Sequence, residues 1–564
     1  MPLIEPLYKI VELCALHGIK EAIICPGSRS AALTLAFARN AKIKTSVIAD
    51  ERSAAFIALG MAMQSAETVA LVCTSGSAAL NFAPAVAEAY FQEIPLLILT
   101  ADRPPEWIHQ YDGQTIFQTE IYGKHVKKSF NMPVDYNHKD AQWQIDRISN
   151  EAINCTQSVP KGPVHINIPI REPFYPETNE RVFPNVSNVN FLKKHAHIET
   201  NDWSDLLEIW DKSERKLIAI GQNAVDLNDE LSGLMEEENV VVLADIISNV
   251  CVDGKITSHD LFLNKIEDLA PDLLITSGKS FISKSFKQFI RSQKPTNHWH
   301  IQEHPDLIDP TQSITHKIEA DPKYFFKELL ESLEARKLKN GDDDEENDYL
   351  LEWIDLEEAS LRYLNKFLNN VDFGELKATS MLLESISSEN ILHLGNSMPV
   401  RYANIMGGIS KEEFEVSSNR GTSGIDGIVS TAIGQAMKTD KMVICLVGDV
   451  SFFYDSNALF FGDIPHNLRI VMINNGGGNI FRIIDGPSKQ EELESHFVTN
   501  QTRNGESLAN ESGIRYLKAT NMIEMASALE IIIKGDPRAA LLEVITDGEA
   551  DAEIFKALKT GFIL

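Results

Sequence analysis

Two polar segments follow two apolar stretches at a spacing that suits a metal-bound diphosphate. Residues 442–447 are apolar and precede Gly448-Asp449, while residues 468–473, apolar except for Arg469, precede the run NNGGGN at 474–479. Carboxylate and amide oxygens are hard ligands that suit Mg²⁺, and glycines let the backbone approach a phosphate closely because they lack a Cβ. Either segment alone is typical of a turn after a strand. Their pairing at two strand ends predicts a magnesium and diphosphate site.

Arginines recur at the ends of other predicted strands. They are Arg29 in PGSRS, Arg103 in TADRPPE, Arg401 in GNSMPVR and Arg420 in SNRG. The planar guanidinium fork matches carboxylates, so arginine is the usual residue for binding them. One such arginine would more simply form a structural salt bridge. Four of them predict one or two substrates that carry several carboxylates.

The elements that must position these residues form three blocks of alternating apolar runs and amphipathic stretches. Short buried strands separated by helices predict parallel sheets covered on both faces. We therefore predict three open α/β domains, at residues 1–180, 200–336 and 350–564. Residues 172–202 and the acidic run 341–348 are predicted to be linkers. The predicted strands are 21–25, 45–49, 69–73, 95–99, 217–220, 240–243, 273–275, 298–301, 391–394, 442–447 and 468–473.

Composition limits the function classes. The chain has 564 residues, with 52 Lys and Arg against 81 Asp and Glu, and a formal net charge of −29. Proteins that bind nucleic acid or anionic lipid carry the opposite imbalance, so neither partner is expected. The six cysteines include no CxxC pair and lie mostly in apolar runs, which is typical of reduced thiols. With no signal peptide and only strand-sized apolar runs, the sequence predicts a cytoplasmic protein.

The Gly-Asp and Asn-Asn pair resembles the signature of thiamine-diphosphate enzymes. This resemblance implies a glutamate at a helix start, where it contacts the aminopyrimidine of the cofactor. Glu51 fits, because it follows the predicted strand 45–49 and opens an alanine-rich helix that we expect to end at Gly60. Alone, Glu51 would more simply complement a helix dipole. A protonated carboxyl there favours the imino form of the cofactor, which removes the thiazolium proton.

The motifs together resemble one family, the menaquinone-pathway synthases that make 2-succinyl-5-enolpyruvyl-6-hydroxy-3-cyclohexene-1-carboxylate. The resemblance implies decarboxylation of 2-oxoglutarate on thiamine diphosphate with Mg²⁺ or Mn²⁺, and conjugate addition of the succinyl carbanion to isochorismate. It also implies a homodimer or homotetramer, with the cofactor at the subunit interface. The matching segments are PGSRS (26–30), DER (50–52), TSGSA (74–78), LTADRPPE (99–106), GNS (395–397), SNRGTSGIDG (418–427), GDVS (448–451) and NNGGGNIF (474–481).

The resemblance also implies roles for individual residues. The metal ligands are Asp449, Asn475 and the carbonyl of Gly477. The cofactor-binding residues are Glu51, Ser423, Gly424, Ile425, Gly448, Asp449, Val450, Ser451, Asn475, Gly477, Gly478 and Asn479. The 2-oxoglutarate residues are Ser397, Arg401 and Arg420, and the isochorismate residues are Arg29, Arg103 and Gln114. Lys284 adds a further cation at the substrates, Ile480 and Phe481 form an apolar wall, and the catalytic set is Glu51, Arg29, Ser397, Arg401 and Arg420.

Positions 285, 112 and 476 depart from the family pattern, the last because Gly476 replaces a larger polar residue, and two other function classes stay open. The family often has two adjacent basic residues where this chain has Lys284 and Ser285, so Lys279 or Lys287 could substitute. Asp112 would place a negative charge near an anionic substrate unless it faces away. The alternatives are another thiamine-diphosphate enzyme, such as a 2-oxoacid decarboxylase or an acetohydroxyacid-synthase-like enzyme, and a binding protein that merely keeps the fold. Retention of Glu51 together with the metal motif argues against the binding protein.

Overall fold

The structure is a computed structural model. It describes residues 5–563 except 173, 176–183, 193–196, 238–239, 341–347, 411, 461 and 536. The described strands form three sheets, and every pairing between neighbouring strands is parallel. The predicted α/β class with parallel sheets is confirmed.

The first sheet has the strand order β2-β1-β3-β4-β6-β5. Its central strands β3 and β4 are buried along their whole length, which explains their unbroken apolar sequences. The strands are β1 (Glu21–Ile24), β2 (Lys44–Val47), β3 (Val69–Cys73), β4 (Leu96–Asp102), β5 (Lys128–Asn131) and β6 (Val164–Pro169), and the helices are α1 (Glu5–Leu16), α2 (Ala31–Arg39), α3 (Glu51–Ser65), α4 (Ser77–Asn81), α5 (Ala83–Gln92) and α6 (Lys139–Gln157).

The second sheet has the order β11-β10-β9-β7-β8. Buried apolar residues cover both of its faces, and one of these cores continues into the third sheet. The strands are β7 (Lys216–Ile220), β8 (Val240–Ala244), β9 (Leu273–Ser277), β10 (Asn297–Ile301) and β11 (His316–Ile318), and the helices are α7 (Thr200–Lys212), α8 (Asn228–Met235), α9 (Lys284–Ser292) and α10 (Pro322–Asn340).

The third sheet has the order β13-β12-β14-β15-β17-β16. The strands are β12 (Asn390–Leu394), β13 (Glu415–Ser418), β14 (Met442–Gly448), β15 (Leu468–Asn474), β16 (Arg515–Ala519) and β17 (Ala540–Ile545). The helices are α11 (Asp348–Asn370), α12 (Glu375–Ser385), α13 (Met398–Ile405), α14 (Ile428–Ala436), α15 (Asp449–Tyr454), α16 (Ile480–Ile483), α17 (Glu506–Glu511), α18 (Met522–Leu529) and α19 (Gly548–Gly561).

Each predicted strand is present, with bounds shifted by a few residues, but six further strands carry no clear apolar pattern. Strands β5, β11, β13 and β16 are partly exposed and therefore mix polar with apolar residues. Strand β6 buries His165 and Asn167, and β17 buries Glu543, so polar residues interrupt both apolar runs.

Helices α3 and α14 cross at two glycines and join the first sheet's layer to the third. A Cβ on Gly60 would lie 2.0 Å from the carbonyl oxygen of Thr431, and one on Gly434 would lie 2.1 Å from that of Ile57. Only glycine permits this approach. The expected helix end at Gly60 is therefore wrong. The helix continues to Ser65 because Gly60 serves the crossing.

The two predicted linkers are only partly within the described chain. Residues 184–192 and 197–199 contain no helix or strand, whereas residues 200–202 begin α7, so the predicted linker is wrong at that end. The acidic residues 341–347 lie outside the described residues, and Asp348 begins α11. Across the described helices, none is both long enough and apolar enough to cross a membrane.

Candidate active site

Asp449 lies at the carboxyl end of β14, next to the glycine run that follows β15. The register pairs Gly448 with Ile473, so both polar segments leave the sheet at the same edge. The buried Asp449 carboxylate accepts hydrogen bonds from the backbone N–H of Val450 at 2.8 Å and from Nε2 of Gln501 at 2.6 Å. Burial raises the pKa of Asp449 to about 6, against the opposite effect of these hydrogen bonds. A buried carboxylate of this kind suits a cation.

The side chain of Asn475 is oriented from behind by a buried glutamate. Oε1 of Glu375 accepts a hydrogen bond from Nδ2 of Asn475 and another from Nδ2 of Asn479 at 3.0 Å. The amide oxygen of Asn475 is therefore on the opposite side, where it accepts the N–H of Gly477 at 3.0 Å. The segment thus presents an oxygen, which Mg²⁺ prefers to nitrogen.

The glycine run forms a cradle whose close packing against residue 498 leaves no room for side chains. Gly476 has a φ of +80°, a conformation that L-residues rarely adopt. A Cβ on Gly477 would lie 2.6 Å from the carbonyl oxygen of Val498, and the N–H of Gly478 donates to that same oxygen at 2.5 Å. With an acidic and an amide oxygen beside it, this cradle fits a diphosphate held through a hard metal ion.

Residues 418–427, here called the third-sheet loop, connect β13 to α14 at the same edge of the sheet. Asn396, which follows β12, holds this loop, since its Nδ2 donates to the carbonyls of Asn419 and Gly424, both at 2.7 Å. Ser423 has a φ of +59°. The side chain of Ile425 is 41% exposed, and Gly424 lies directly before it. The backbone of the loop is fixed, while Thr422, Ser423 and Ile425 are exposed.

Two of the predicted substrate arginines lie together beside this loop. Nη1 of Arg420 donates to Oδ1 of Asn396 at 3.0 Å, and Nη1 of Arg401 donates to the carbonyl of Ser397. Ser397 has a φ of +73° at the start of α13. Burial lowers the pKa of Arg401, and the charge of Arg420 lowers it further. Nε of Arg420 is buried without an acceptor among the described residues, so a bound carboxylate would supply one.

Lys287 is the third cation of this region. Burial lowers the pKa of Lys287, the charge of Arg420 acts in the same direction, and Asp245 opposes it. The ammonium groups of both lysines donate to a backbone carbonyl, that of Lys287 to Phe281 at 2.9 Å and that of Lys279 to Gln92. Lys279 differs because its ammonium also lies 3.2 Å from the carboxylate of Glu93.

The two adjacent positions at the start of α9 have separate surroundings. Lys284 is exposed, and its charge lowers the pKa of Asp485 after the larger effect of Lys489. Oγ of Ser285 accepts a hydrogen bond from Nδ2 of Asn264 at 2.8 Å. Ser285 is therefore a buried structural contact.

Residues 103–118, here called the first-sheet loop, follow β4. Nη1 of Arg103 lies 3.1 Å from Oδ2 of Asp112, and Nη2 donates to the carbonyl of Gly113 at 2.9 Å. The acidic residue that departs from the family pattern thus pairs with the predicted substrate arginine. Gln114 has a φ of +57°. Gln118 fixes the far end, since it accepts the N–H of Gly76 at 2.8 Å and is 1% exposed.

Arg29 and Glu51 lie at the same edge of the first sheet. Nη1 of Arg29 donates to the carbonyl of Ile170 at 2.9 Å, and its guanidinium is 4.3 Å from the ring centre of Phe174. Glu51 opens α3, and its carboxylate accepts a hydrogen bond from Nδ2 of Asn81 at 3.1 Å.

The remaining predicted site residues surround the third-sheet edge. Gly448 precedes the first turn of α15, which contains Val450 and the buried Ser451. Ile480 and Phe481 form the start of α16, where the Phe481 ring lies 5.8 Å from that of Phe497. The structure therefore places the metal motif, the third-sheet loop and two arginines at one edge. It places Arg29, Arg103, Gln114 and Glu51 at the edge of another sheet.

Four polar residues of the site were not predicted. Asn396 lies within the GNS motif, so the sequence indicated that this position belongs to the site but not that Asn396 holds the third-sheet loop. Glu88 is the only acidic residue of α5 and lies between alanines that are buried. An acidic residue in such a sequence indicates that its carboxylate has a buried hydrogen-bond donor. Glu375 and Gln501 carry no local signal, because they reach the metal motif from distant parts of the chain.

Family models match two parts of the chain. The model described as "Thiamine pyrophosphate enzyme, N-terminal TPP binding domain" matches residues 9–126. The model described as "Middle domain of thiamine pyrophosphate" matches residues 185–394. The prediction of a thiamine-diphosphate enzyme fold is confirmed.

Curated relatives match almost the whole chain, and the following three share one name, 2-succinyl-5-enolpyruvyl-6-hydroxy-3-cyclohexene-1-carboxylate synthase. The protein from Cytophaga hutchinsonii is 40% identical over 563 residues, covering 98% of both chains. That from Flavobacterium johnsoniae is 37% identical, covering 97% of this chain and 96% of the relative. That from Porphyromonas gingivalis is 35% identical, covering 98% and 96%.

Proposed function

Because the chain belongs to the family of 2-succinyl-5-enolpyruvyl-6-hydroxy-3-cyclohexene-1-carboxylate synthases, we propose that it decarboxylates 2-oxoglutarate and transfers the remaining four-carbon unit to isochorismate. The product is the compound in the family name, and the pathway is menaquinone biosynthesis. One observation carries the proposal: the metal motif and the pair Arg401 and Arg420 lie at one edge of one sheet. A cofactor and a dicarboxylate substrate would meet there.

Asp449, Asn475 and the carbonyl of Gly477 would hold Mg²⁺ or Mn²⁺, and through it the diphosphate. Bound thiamine diphosphate would supply a nucleophilic carbon and a thiazolium ring that takes up the electrons released by decarboxylation. The residues lining it would be Gly448, Val450, Ser451, Ser423, Gly424, Gly478 and Asn479, with Ile425 as an exposed apolar support. By accepting a hydrogen bond from Nδ2 of Asn475, Glu375 would keep the amide oxygen of Asn475 toward the metal.

Arg401 and Arg420 would bind the carboxylates of 2-oxoglutarate, with Ser397 beside them. Their buried guanidinium groups repel each other, and a doubly charged anion between them would offset that repulsion. Of the two lysines that could replace the missing basic residue at position 285, Lys287 is the better supported, because its ammonium donates to the Phe281 carbonyl whereas that of Lys279 is paired with the carboxylate of Glu93. Lys279 is occupied by Gln92 and Glu93, while Lys284 remains available at the surface.

Arg29, Arg103 and Gln114 would face isochorismate, and Ile480 and Phe481 would form the apolar wall beside it. Arg29 is fixed by Ile170 and Phe174 and is therefore already oriented. Glu51 would control the proton at the aminopyrimidine of a cofactor held mainly by a second subunit. We therefore propose a homodimer or homotetramer in the cytoplasm, a location supported by six free thiols. We also propose domain bounds at residues 1–180, 200–336 and 350–564, as predicted from the sequence.

A direct assay tests this function. Purified protein with thiamine diphosphate, Mg²⁺, 2-oxoglutarate and isochorismate should consume isochorismate, followed by its absorbance, and release CO₂. Glu51→Gln should nearly abolish turnover while the far-UV circular dichroism spectrum is unchanged, because the amide cannot hold the proton in the same way. CO₂ release from pyruvate without any consumption of isochorismate would contradict the proposed substrates.

A further inference from the structure

Glu88 of the first sheet's layer reaches the backbone of the third-sheet loop. Its side chain projects from α5 and is 1% exposed. One carboxylate oxygen accepts the N–H of Gly421 at 2.7 Å, and the other accepts the N–H of Thr422 at 2.7 Å and its hydroxyl at 2.5 Å. Both oxygens of one carboxylate are therefore occupied by two consecutive residues of the loop.

A buried carboxylate is costly unless donors satisfy it. Here Nε2 of Gln92 adds a further donor at 2.5 Å, and the charge of Glu88 raises the pKa of Arg420, against the larger effect of burial. Gly421 allows the close approach, since a Cβ there would lie 2.8 Å from the backbone carbonyl oxygen of Glu88. Hydrogen bonds to a charged group are the stronger kind. The contact is therefore an anchor rather than incidental packing.

The anchored residues lie between two groups that the proposed function needs. Arg420 precedes them, and Ser423 follows them with a φ of +59°. A non-glycine residue stays in that conformation only when its surroundings enforce it. Asn396 holds residues 419 and 424 from the other side, so the backbone of the loop is fixed at four residues between 419 and 424.

We propose that Glu88 is a positioning residue that sets the third-sheet loop, and with it Arg420, Ser423 and Ile425, before any ligand binds. The anchoring follows from the contacts of Glu88 alone, while its effect on 2-oxoglutarate rests on the proposed function. Glu88→Gln should weaken the anchor, because one amide group can accept with its oxygen only and its NH₂ would face a backbone N–H.

Glu357 provides a matched control. It is a second buried carboxylate that accepts consecutive backbone N–H groups, those of Thr257 at 3.0 Å and Ser258 at 2.9 Å, together with the Thr257 hydroxyl at 2.6 Å. It joins α11 to the layer of the second sheet, away from the third-sheet loop. Glu357→Gln should therefore share the general cost of losing a buried carboxylate but not the effect on the loop.

Amide hydrogen exchange of the full-length cofactor-free protein is the first measurement. In Glu88→Gln the amides of Gly421 and Thr422 should exchange roughly tenfold faster, the equivalent of one charged hydrogen bond. In Glu357→Gln those amides should exchange at the wild-type rate. Thr422→Val removes only one donor and should give a smaller increase, which keeps the test available if Glu88→Gln folds poorly.

Steady-state kinetics is the second measurement. The KM for 2-oxoglutarate should rise roughly tenfold in Glu88→Gln, while the KM for isochorismate stays near the wild-type value. If Glu88→Gln lowers the Tm as Glu357→Gln does, yet leaves loop exchange and the 2-oxoglutarate KM unchanged, Glu88 is only structural and the proposal is wrong. If the wild-type protein turns over neither substrate, the proposed function fails, and the exchange result alone decides the anchoring.

Discussion

The third-sheet loop and the first-sheet loop both follow a parallel strand, and both carry an arginine predicted to bind a substrate. They differ in what holds them. The third-sheet loop is anchored by Glu88 from another layer and by Asn396 from a neighbouring strand end. The first-sheet loop holds its own arginine through Asp112, and its apolar side chains are in solvent, with Tyr111 fully exposed and Phe117 73% exposed.

This difference indicates two stages of site formation. The third-sheet loop has its hydrogen bonds in place within one chain, so its geometry precedes ligand binding and costs little when the ligand arrives. The first-sheet loop exposes aromatic side chains that a ligand or a second subunit would cover. We therefore expect the 2-oxoglutarate side to be preformed and the isochorismate side to be completed later.

Among substitutions that affect the two loops, the largest effect should come from removing the side chain of Asn396. Asn396→Ala leaves two buried carbonyls and the guanidinium of Arg420 without their partner, so kcat/KM for 2-oxoglutarate should fall roughly 100- to 1000-fold, equivalent to about 3–4 kcal/mol. Asn467→Ala is the control, because Asn467 also donates to backbone carbonyls in the same layer but far from the loop. An equal loss of kcat/KM in both variants would show that the effect is general destabilisation.

A pair of arginine substitutions tests whether the two loops serve different substrates. Arg401→Ala should raise the KM for 2-oxoglutarate by roughly 10- to 100-fold, as expected for a lost charged contact, with little change in the KM for isochorismate. Arg103→Ala should do the reverse. Each variant is the control of the other, measured by varying one substrate while the second is saturating. Parallel changes in both KM values would remove the assignment of one loop to each substrate.

The smallest effect should come from Asp112. Asp112→Asn removes the carboxylate that competes with an anionic substrate for Arg103, and because this ion pair is partly exposed, the KM for isochorismate should fall only roughly two- to fivefold. Asp135→Asn is the control, since Asp135 also pairs with an exposed arginine of this layer, Arg171. A higher KM in Asp112→Asn would mean that Asp112 orients Arg103 for binding.

Much of the fold and the local motifs could be predicted from the sequence. Apolar runs mark the central strands because parallel strands are buried on both faces, and the metal motif follows from glycine and oxygen ligands at two such strand ends. Strands β6 and β17 were not predicted because they bury polar residues. The roles of Glu88 and Gln501 were not predicted for a different reason, because their hydrogen-bond partners are distant in the chain. A single sequence does not indicate which buried acid or amide contacts which loop.

Glu88 and the third-sheet loop that it anchors are also synthesised at widely separated times. Gly421 lies 333 residues after Glu88, so at about 5–20 residues per second a ribosome needs roughly 20 to 70 seconds to make the loop after the helix has been made. During that interval the first layer can fold with a hydrated, charged Glu88 on its surface. Helix α5 can therefore fold first and present Glu88 as a contact site. The third-sheet loop acquires its shape only after the last third of the chain has been synthesised.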